Sequence, residues 1–393
     1  MSLPEAVERQ FSSELREHLI ALRRELHRHP ELAFQEHATA ERLLAGLASI
    51  GVTDVRRVRE TGIIARVPGR VRGEPSIAIR GDIDALPIQE ATGLPYASSI
   101  PGVMHACGHD VHATWAVAAA ALLVADPAER DVLVVLQPAE EIGRGALAIL
   151  ESGALDGVRA IFGGHVDRRF EVGQVVADDG PLAASGDVFQ IELVGQGAHA
   201  ARPHEARDPI VAAAAVVMAL QTVVARRLNP ATPGVVTIAA MHGGSAPNII
   251  PDRATLTGTV RAIEPDSREI MLRAVDELAR ATAAAYGVEA HVSIDRGTPP
   301  IVNPAETTAW ARQAAVSVLG AANVVPLGFL NMAAEDFAHY VERIPGCFLR
   351  IGAREPGGVM IPAHASTFYP SEDAIFVGAA VLAEAARTAA RAL

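Results

Sequence analysis

The sequence predicts a two-domain α/β protein, with a smaller βαββαβ domain inserted into a larger mixed-sheet domain. Length is the first reason: 393 residues are too many for one compact core. The second is a pattern of strand, ligand-type residues and helix that recurs three times before residue 170. The third is a change of character near Gly180. Beyond it, strands and helices follow in the order of a ferredoxin-like split-βαβ unit.

Residues 4–29 carry Leu15, Leu19, Leu22 and Leu26 at helical spacing, and Pro30 stops that helix. Residues 36–50 form a second helix, closed by Gly51. Strands are expected at 62–67 and 76–80, the latter entering Gly81-Asp82-Ile83-Asp84-Ala85-Leu86-Pro87. An apolar helix covers 113–125. Strand 131–136 ends in Gln137-Pro138-Ala139-Glu140-Glu141. Helix 145–152 and strand 159–163 follow, then Gly164-His165-Val166-Asp167. Open α/β sheets place their chemistry at such strand ends.

The inserted domain is assigned residues 181–295, with strands 187–194, 234–242, 254–261 and 288–294 and helices 208–227 and 266–286. The larger domain takes 1–180 and 296–393. Its second part holds helices 304–319 and near 334–341, strand 347–351, a loop with His364 and a closing helix from 371.

Half the residues are apolar and a fifth charged, the profile of a globular protein with an aliphatic core. The net charge of −12 and the short basic runs, such as 70–72, leave no footprint for a phosphate backbone or an acidic membrane. No nucleic-acid or membrane partner is expected. A secreted disulfide framework would use more than the two cysteines, Cys107 and Cys347. No cationic-then-apolar leader opens the chain, and apolar runs 113–125 and 210–220 fall short of the about 20 residues a membrane span needs. Cytoplasmic location is the expectation.

The stretch from Gly102 to His112 packs three His, one Cys and one Asp into eleven residues just before a buried helix. A lone His is ordinarily a surface or satisfied core residue. This density of imidazole and thiolate points instead to zinc or a first-row neighbour. Asp82 and Asp84 share a face of a strand end, as metal-orienting carboxylates or as turn residues. Adjacent Glu140 and Glu141 divide naturally into one metal ligand and one general base, or form a solvated acidic pair. His165 is a ligand or a core His, and His364 and His199 are loop residues. No G-x-S-x-G elbow, P-loop or H-E-x-x-H is present, so serine hydrolase, NTPase and zincin chemistry lack support.

Three motifs in order, Arg80-Gly81-Asp82-Ile83-Asp84-Ala85-Leu86-Pro87, Met104-His105-Ala106-Cys107-Gly108-His109-Asp110 and Gln137-Pro138-Ala139-Glu140-Glu141, resemble the M20 metallopeptidase family. The similarity extends from Arg24 to His364 and looks greatest to amidohydrolases of N-acyl amino acids, including hippurate and auxin-conjugate hydrolases. It implies a metallopeptidase-type catalytic domain with an inserted lid. It further implies two divalent metals (Zn, Mn, Co or Ni) on Cys107, His109, Glu141, His165 and His364. Glu140 would be the general base for a metal-activated water, and Asp84 the carboxylate that orients a ligand. The lid would mediate a homodimer or higher oligomer. His199 would complete the catalytic site of the partner subunit, and with Asn248 and Arg261 would bind substrate. Asp82 stands where many relatives have a metal-binding His. The sequence also departs from the family's usual Met-Gly-Ser-Glu-Asp-Phe at Ala333 and Ala334, and after His364 it lacks the usual Pro and aromatic-Asp pair. The implied reaction is hydrolysis of the amide of an N-acyl amino acid. The alternatives are a dipeptidase or carboxypeptidase of the same fold, and a non-catalytic binding protein.

Overall fold

The computed structural model describes residues 3–71, 73 and 77–393. Ser76, the expected start of a strand, and Arg72, in the basic run, lie outside the described residues. The chain divides into two compact units. The first runs to Gly180 and resumes over Asn303–Phe329 and Asp336–Leu393; the second holds Pro181–Val302 and Leu330–Glu335.

The first unit is built on a sheet of seven described strands: β1 (Val55–Val58), β2 (Gly62–Val67), β3 (Ile77–Asp82), β4 (Val132–Gln137), β5 (Ala160–Glu171), β6 (Val175–Val176) and β7 (Gly346–Arg354). Their order is β1-β2-β4-β3-β5-β7-β6. β4, β3, β5 and β7 run parallel, while β1, β2 and β6 pair antiparallel at the edges. β3 and β4 are buried along their whole length, as strands covered by helices must be. Their carboxyl ends share one edge. Asp82 stands opposite Gln137 in register, so the loops after β3 and β4 leave the sheet side by side. β5 does not end at 163 as the sequence suggested. Its pairing with β7 continues through Asp167 and Glu171, which puts His165 inside the strand opposite Arg350.

The helices of this unit are α1 (Ser13–Arg28), α2 (His37–Ser49), α3 (His109–Ala125), α4 (Gly145–Glu151), α5 (Ala305–Leu319) and α6 (Asp373–Ala392), with shorter turns at Glu5–Glu8 and Ala338–Val341. The single helix expected over 4–29 is two pieces. Ser12 breaks it, accepting the Leu15 N–H at 3.2 Å as the N-cap of α1. α3 is buried on almost every side, between the sheet, α1 and α6. Its first turn lies directly on the end of β3. A Cβ on Gly81 would stand 2.3 Å from the His112 carbonyl oxygen, so only glycine permits this approach.

In the second unit the strands Asp187–Val194, Gly234–Gly243, Arg253–Ala262 and Glu289–Asp295 form an antiparallel sheet. In chain order the strands lie 4-1-3-2 across it. Pro209–Leu220 and Pro265–Ala285 pack on it around Phe189, Ile191, Leu256, Met271 and Val275. The helix expected over 208–227 is interrupted at Gln221. This unit continues past residue 295, held by the Gly186 N–H donating to Thr298 O at 2.9 Å. No described helix is long and apolar enough to cross a membrane.

Candidate metal centre

The centre assembles at the carboxyl edge of the parallel strands in the first unit. Gly108 has φ +97°, a left-handed conformation that turns the chain into α3. A Cβ there would meet Val166 at 2.5 Å, so the glycine also lets the loop close onto β5. The result is a Cys107 Sγ to His165 Nε2 distance of 3.1 Å. His165 Nδ1 lies 2.6 Å from Val166 O. A carbonyl only accepts, so Nδ1 carries the proton and Nε2 presents its lone pair beside the sulfur.

His109, the first residue of α3, is held in the same way. Its Nδ1 donates to Asp84 O at 2.9 Å and lies 3.2 Å from Asp84 Oδ1. Among the described residues, its Nε2 is buried without a hydrogen-bond partner. Glu140 Oε2 and Glu141 Oε1 each stand 3.8 Å from that nitrogen, and Glu141 Oε1 is likewise unpartnered. The other Asp84 oxygen accepts the Glu141 N–H at 3.0 Å. One buried carboxylate thus aims both a histidine and a glutamate. His364 arrives on the loop after β7 with φ +67°, and its N–H donates to Ala106 O at 2.8 Å. Its Nε2 is 3.5 Å from Glu141 Oε2.

Five groups form among the described residues: Asp82, His109 and His112; Glu140, Glu335 and Asp336; and, from the expected ligands and base, Cys107, His109 and His165; His109, Glu140 and Glu141; and Cys107, Glu141 and His364. In each, the donor atoms lie within 4.8 Å of one another. Two atoms bound to one ion at about 2.0–2.3 Å stand at most about 4.6 Å apart, so the three distances of 3.1, 3.8 and 3.5 Å suit shared ions. The mixed thiolate, imidazole and carboxylate set suits a first-row divalent metal. The orphaned His109 Nε2 and Glu141 Oε1 are the atoms such an ion would satisfy.

The electrostatics agree. The Cys107 sulfur and the Glu141 carboxylate push the His364 pKa up to about 10. Burial opposes charge on His109, yet Asp82 and Cys107 hold its pKa well above the ordinary value. The site favours positive charge.

Asp82 Oδ2 also stands 3.8 Å from His109 Nε2, but both of its oxygens are already engaged. Its Oδ1 accepts from His112 Nδ1 at 2.6 Å and its Oδ2 pairs with Arg80. His112 Nε2 in turn accepts the Val166 N–H at 2.9 Å, which fixes the backbone beside His165. Arg80 also holds Asp336 at 3.0 Å and Gln137 at 2.9 Å, and the Asp336 N–H lies 3.4 Å from Glu140 Oε1. The roles of Arg80, Gln137 and Asp336 were invisible in the spacing of the motifs. So was that of Glu36, whose carboxylate accepts the Ala139 N–H at 3.0 Å from a helix start a hundred residues upstream. His105 is buried with neither ring nitrogen partnered, and burial drives its pKa down to about 3.

His199, Asn248 and Arg261 belong to the second unit. His199 and Asn248 are exposed and adjacent: Ala200 N–H donates to Asn248 O at 3.0 Å, and His199 pairs with Ile249 across a short ladder. Arg261 lies apart from them, half-buried on the sheet near Gly186.

Residues 78–388 match the model of peptidase family M20/M25/M40. The chain is 40% identical over 343 residues to an N-acetyl-L-cysteine deacetylase of Bacillus subtilis (strain 168), covering 86% of this chain and 81% of the relative. It is 37% identical over 375 residues to the IAA-amino acid hydrolase ILR1-like 5 of Arabidopsis thaliana, covering 94% and 86%. Among solved structures it is similar to the Bacillus subtilis YXEP protein, described as a dinuclear metal-binding peptidase of the M20 family. That match has a TM-score of 0.85 and 35% identity, over 97% of this chain and all of the other.

Proposed function

The chain belongs to peptidase family M20/M25/M40 and is a hydrolase acting on amides; from that premise we propose that it cleaves the amide bond of N-acyl amino acids. The observation that carries the reading is the buried, unpartnered His109 Nε2 faced at 3.8 Å by both Glu140 and Glu141. Cys107, His109, Glu141, His165 and His364 would hold two divalent metals. When bound, these would polarise the acyl carbonyl and acidify a water.

The chain's own residues then divide the work. Asp84 fixes His109 in the tautomer that presents Nε2 and holds the Glu141 backbone. Glu140 takes a proton from the water as its oxygen attacks the acyl carbon. It delivers that proton to the amine nitrogen as the carbon–nitrogen bond breaks. The products are a carboxylic acid and a free amino acid. The second unit would serve as a lid and dimerisation domain, with His199 steadying the oxyanion and Asn248 and Arg261, from separate parts of the unit, binding the substrate.

The test is metal analysis of the purified protein, then a panel of N-acetyl and N-benzoyl amino acids beside dipeptides, assayed with the metals found. Glu140→Gln should lower kcat by about 10²–10⁴-fold with metal content unchanged. Near-normal turnover in that variant would remove Glu140 from its role. Preferential cleavage of dipeptides would replace the N-acyl substrate with a peptide.

A further inference from the structure

Glu36 is fully buried at the start of α2, and among the described residues it forms no ion pair. A short Asp in that position would cap its helix. Glu36 makes no capping bond, and Glu31 does that work, accepting the Ala38 and Thr39 N–H groups at 3.2 and 2.7 Å. The Glu36 side chain instead reaches the turn after β4 and accepts the Ala139 N–H at 3.0 Å. Ala139 has φ +54°, a left-handed conformation that a residue with a Cβ resists. Its carbonyl accepts from Gly145 at 3.0 Å, the Glu140 carbonyl accepts from Gly143 at 2.7 Å, and the Glu141 N–H is taken by Asp84. Glu140 and Glu141 are the next two residues, so the twist at Ala139 sets where both carboxylates point.

We propose that Glu36 is a positioning residue: its buried carboxyl clamps Ala139 in the left-handed turn that presents Glu140 and Glu141 to the metal centre. It touches neither substrate nor the donor atoms. Strain of this kind persists only where surrounding contacts over-determine it, and Glu36 supplies the side-chain contact at the strained residue, beside the backbone bonds to its carbonyl. The inference rests on the roles assigned above to Glu140 and Glu141.

The experiment compares Glu36→Leu, Glu36→Gln, Ala139→Gly and the double variant Glu36→Leu/Ala139→Gly. Each is read for kcat, KM and metal retained after reloading and gel filtration. Glu36→Leu keeps the volume and removes the acceptor; it should lose at least about tenfold in kcat with KM within about threefold, and should retain less metal. Glu36→Gln keeps an acceptor and should return kcat to within about threefold of the unaltered enzyme. Gly adopts the left-handed turn without a clamp, so the double variant should regain the kcat and metal retention of Ala139→Gly.

Unaltered kcat in Glu36→Leu would overturn the proposal. So would Glu36→Gln as impaired as Glu36→Leu, or a double variant with no recovery. If Glu36→Leu does not fold, a crystal structure of Glu36→Gln decides: an introduced amide rotated away from Ala139 in a fully active enzyme refutes the clamp. Glu140→Gln assayed alongside separates the two claims. If that variant turns over normally the base assignment falls, while metal retention still judges Glu36.

Discussion

Asp84 shows how much one buried carboxylate can organise. It sets the tautomer of His109 and the backbone of Glu141, two candidate ligands from different loops. Asp84→Asn places an amide where the Glu141 N–H needs an acceptor. It should weaken metal binding about 10–100-fold, read by chelator competition; unchanged affinity would refute the orienting role. A second buried cluster lies behind the centre, where His27 Nδ1 meets Asp110 at 2.8 Å and Nε2 meets Glu90 at 3.2 Å. Burial opposes the His27 charge, but Asp110 and the bond to Glu90 outweigh it, so its pKa is raised above 6.5. The folded state therefore binds this proton more tightly than the unfolded chain. The stability His27 contributes is complete below pH 6.5 and fades as pH climbs through the raised value. In urea unfolding, the gap between the unaltered protein and His27→Gln should narrow across that interval; a gap that widens would refute the charge assignment. Cys347 lies in β7 with its pKa pushed up to about 12 by burial. A thiol reagent should modify it only after denaturant is added.

At the scale of elements, the close approach of α3 to β3 carries the geometry of the centre. Gly81→Ala would drive a Cβ into the His112 carbonyl at 2.3 Å. The expected loss is about 1–3 kcal/mol of stability with weaker metal retention, measured by urea unfolding and metal analysis. No change in either would mean the helix can shift freely. The elements that were legible in the sequence had a local cause: the apolar run of β4, the apolar stretch 113–125 of α3, the amphipathic periodicity of Pro265–Ala285. The misread ones had a tertiary cause. β5 continues through His165 because β7, nearly two hundred residues later, supplies hydrogen-bond partners. The first helix breaks at Ser12, where Phe11 is buried against α6 and contacts Phe376.

At the scale of the molecule, all five expected ligands and Glu140 come together in the first unit, from four separate stretches of chain. Their types were legible because cysteine, histidine and glutamate at strand ends stand out against an aliphatic background. Their support was not, because Glu36, Arg80, Gln137 and Asp336 meet only in three dimensions. A metal bound at 100 times its Kd adds about 2.7 kcal/mol per site, so chelation should lower the Tm by roughly 5–10 °C and readdition should restore it. An unmoved Tm would deny the ions a place in the folded state. The order of the ligands along the chain also has a consequence in time. His364 follows Cys107 by 364 − 107 = 257 residues, with the whole second unit's main segment between them. At about 5–20 residues per second, a ribosome leaves the thiol and its neighbouring imidazoles without their last partner for roughly 13–50 seconds. On the proposed ligand set, metallation would be an event of late maturation, with Cys107 kept reduced and unclaimed until β7 and its loop have docked.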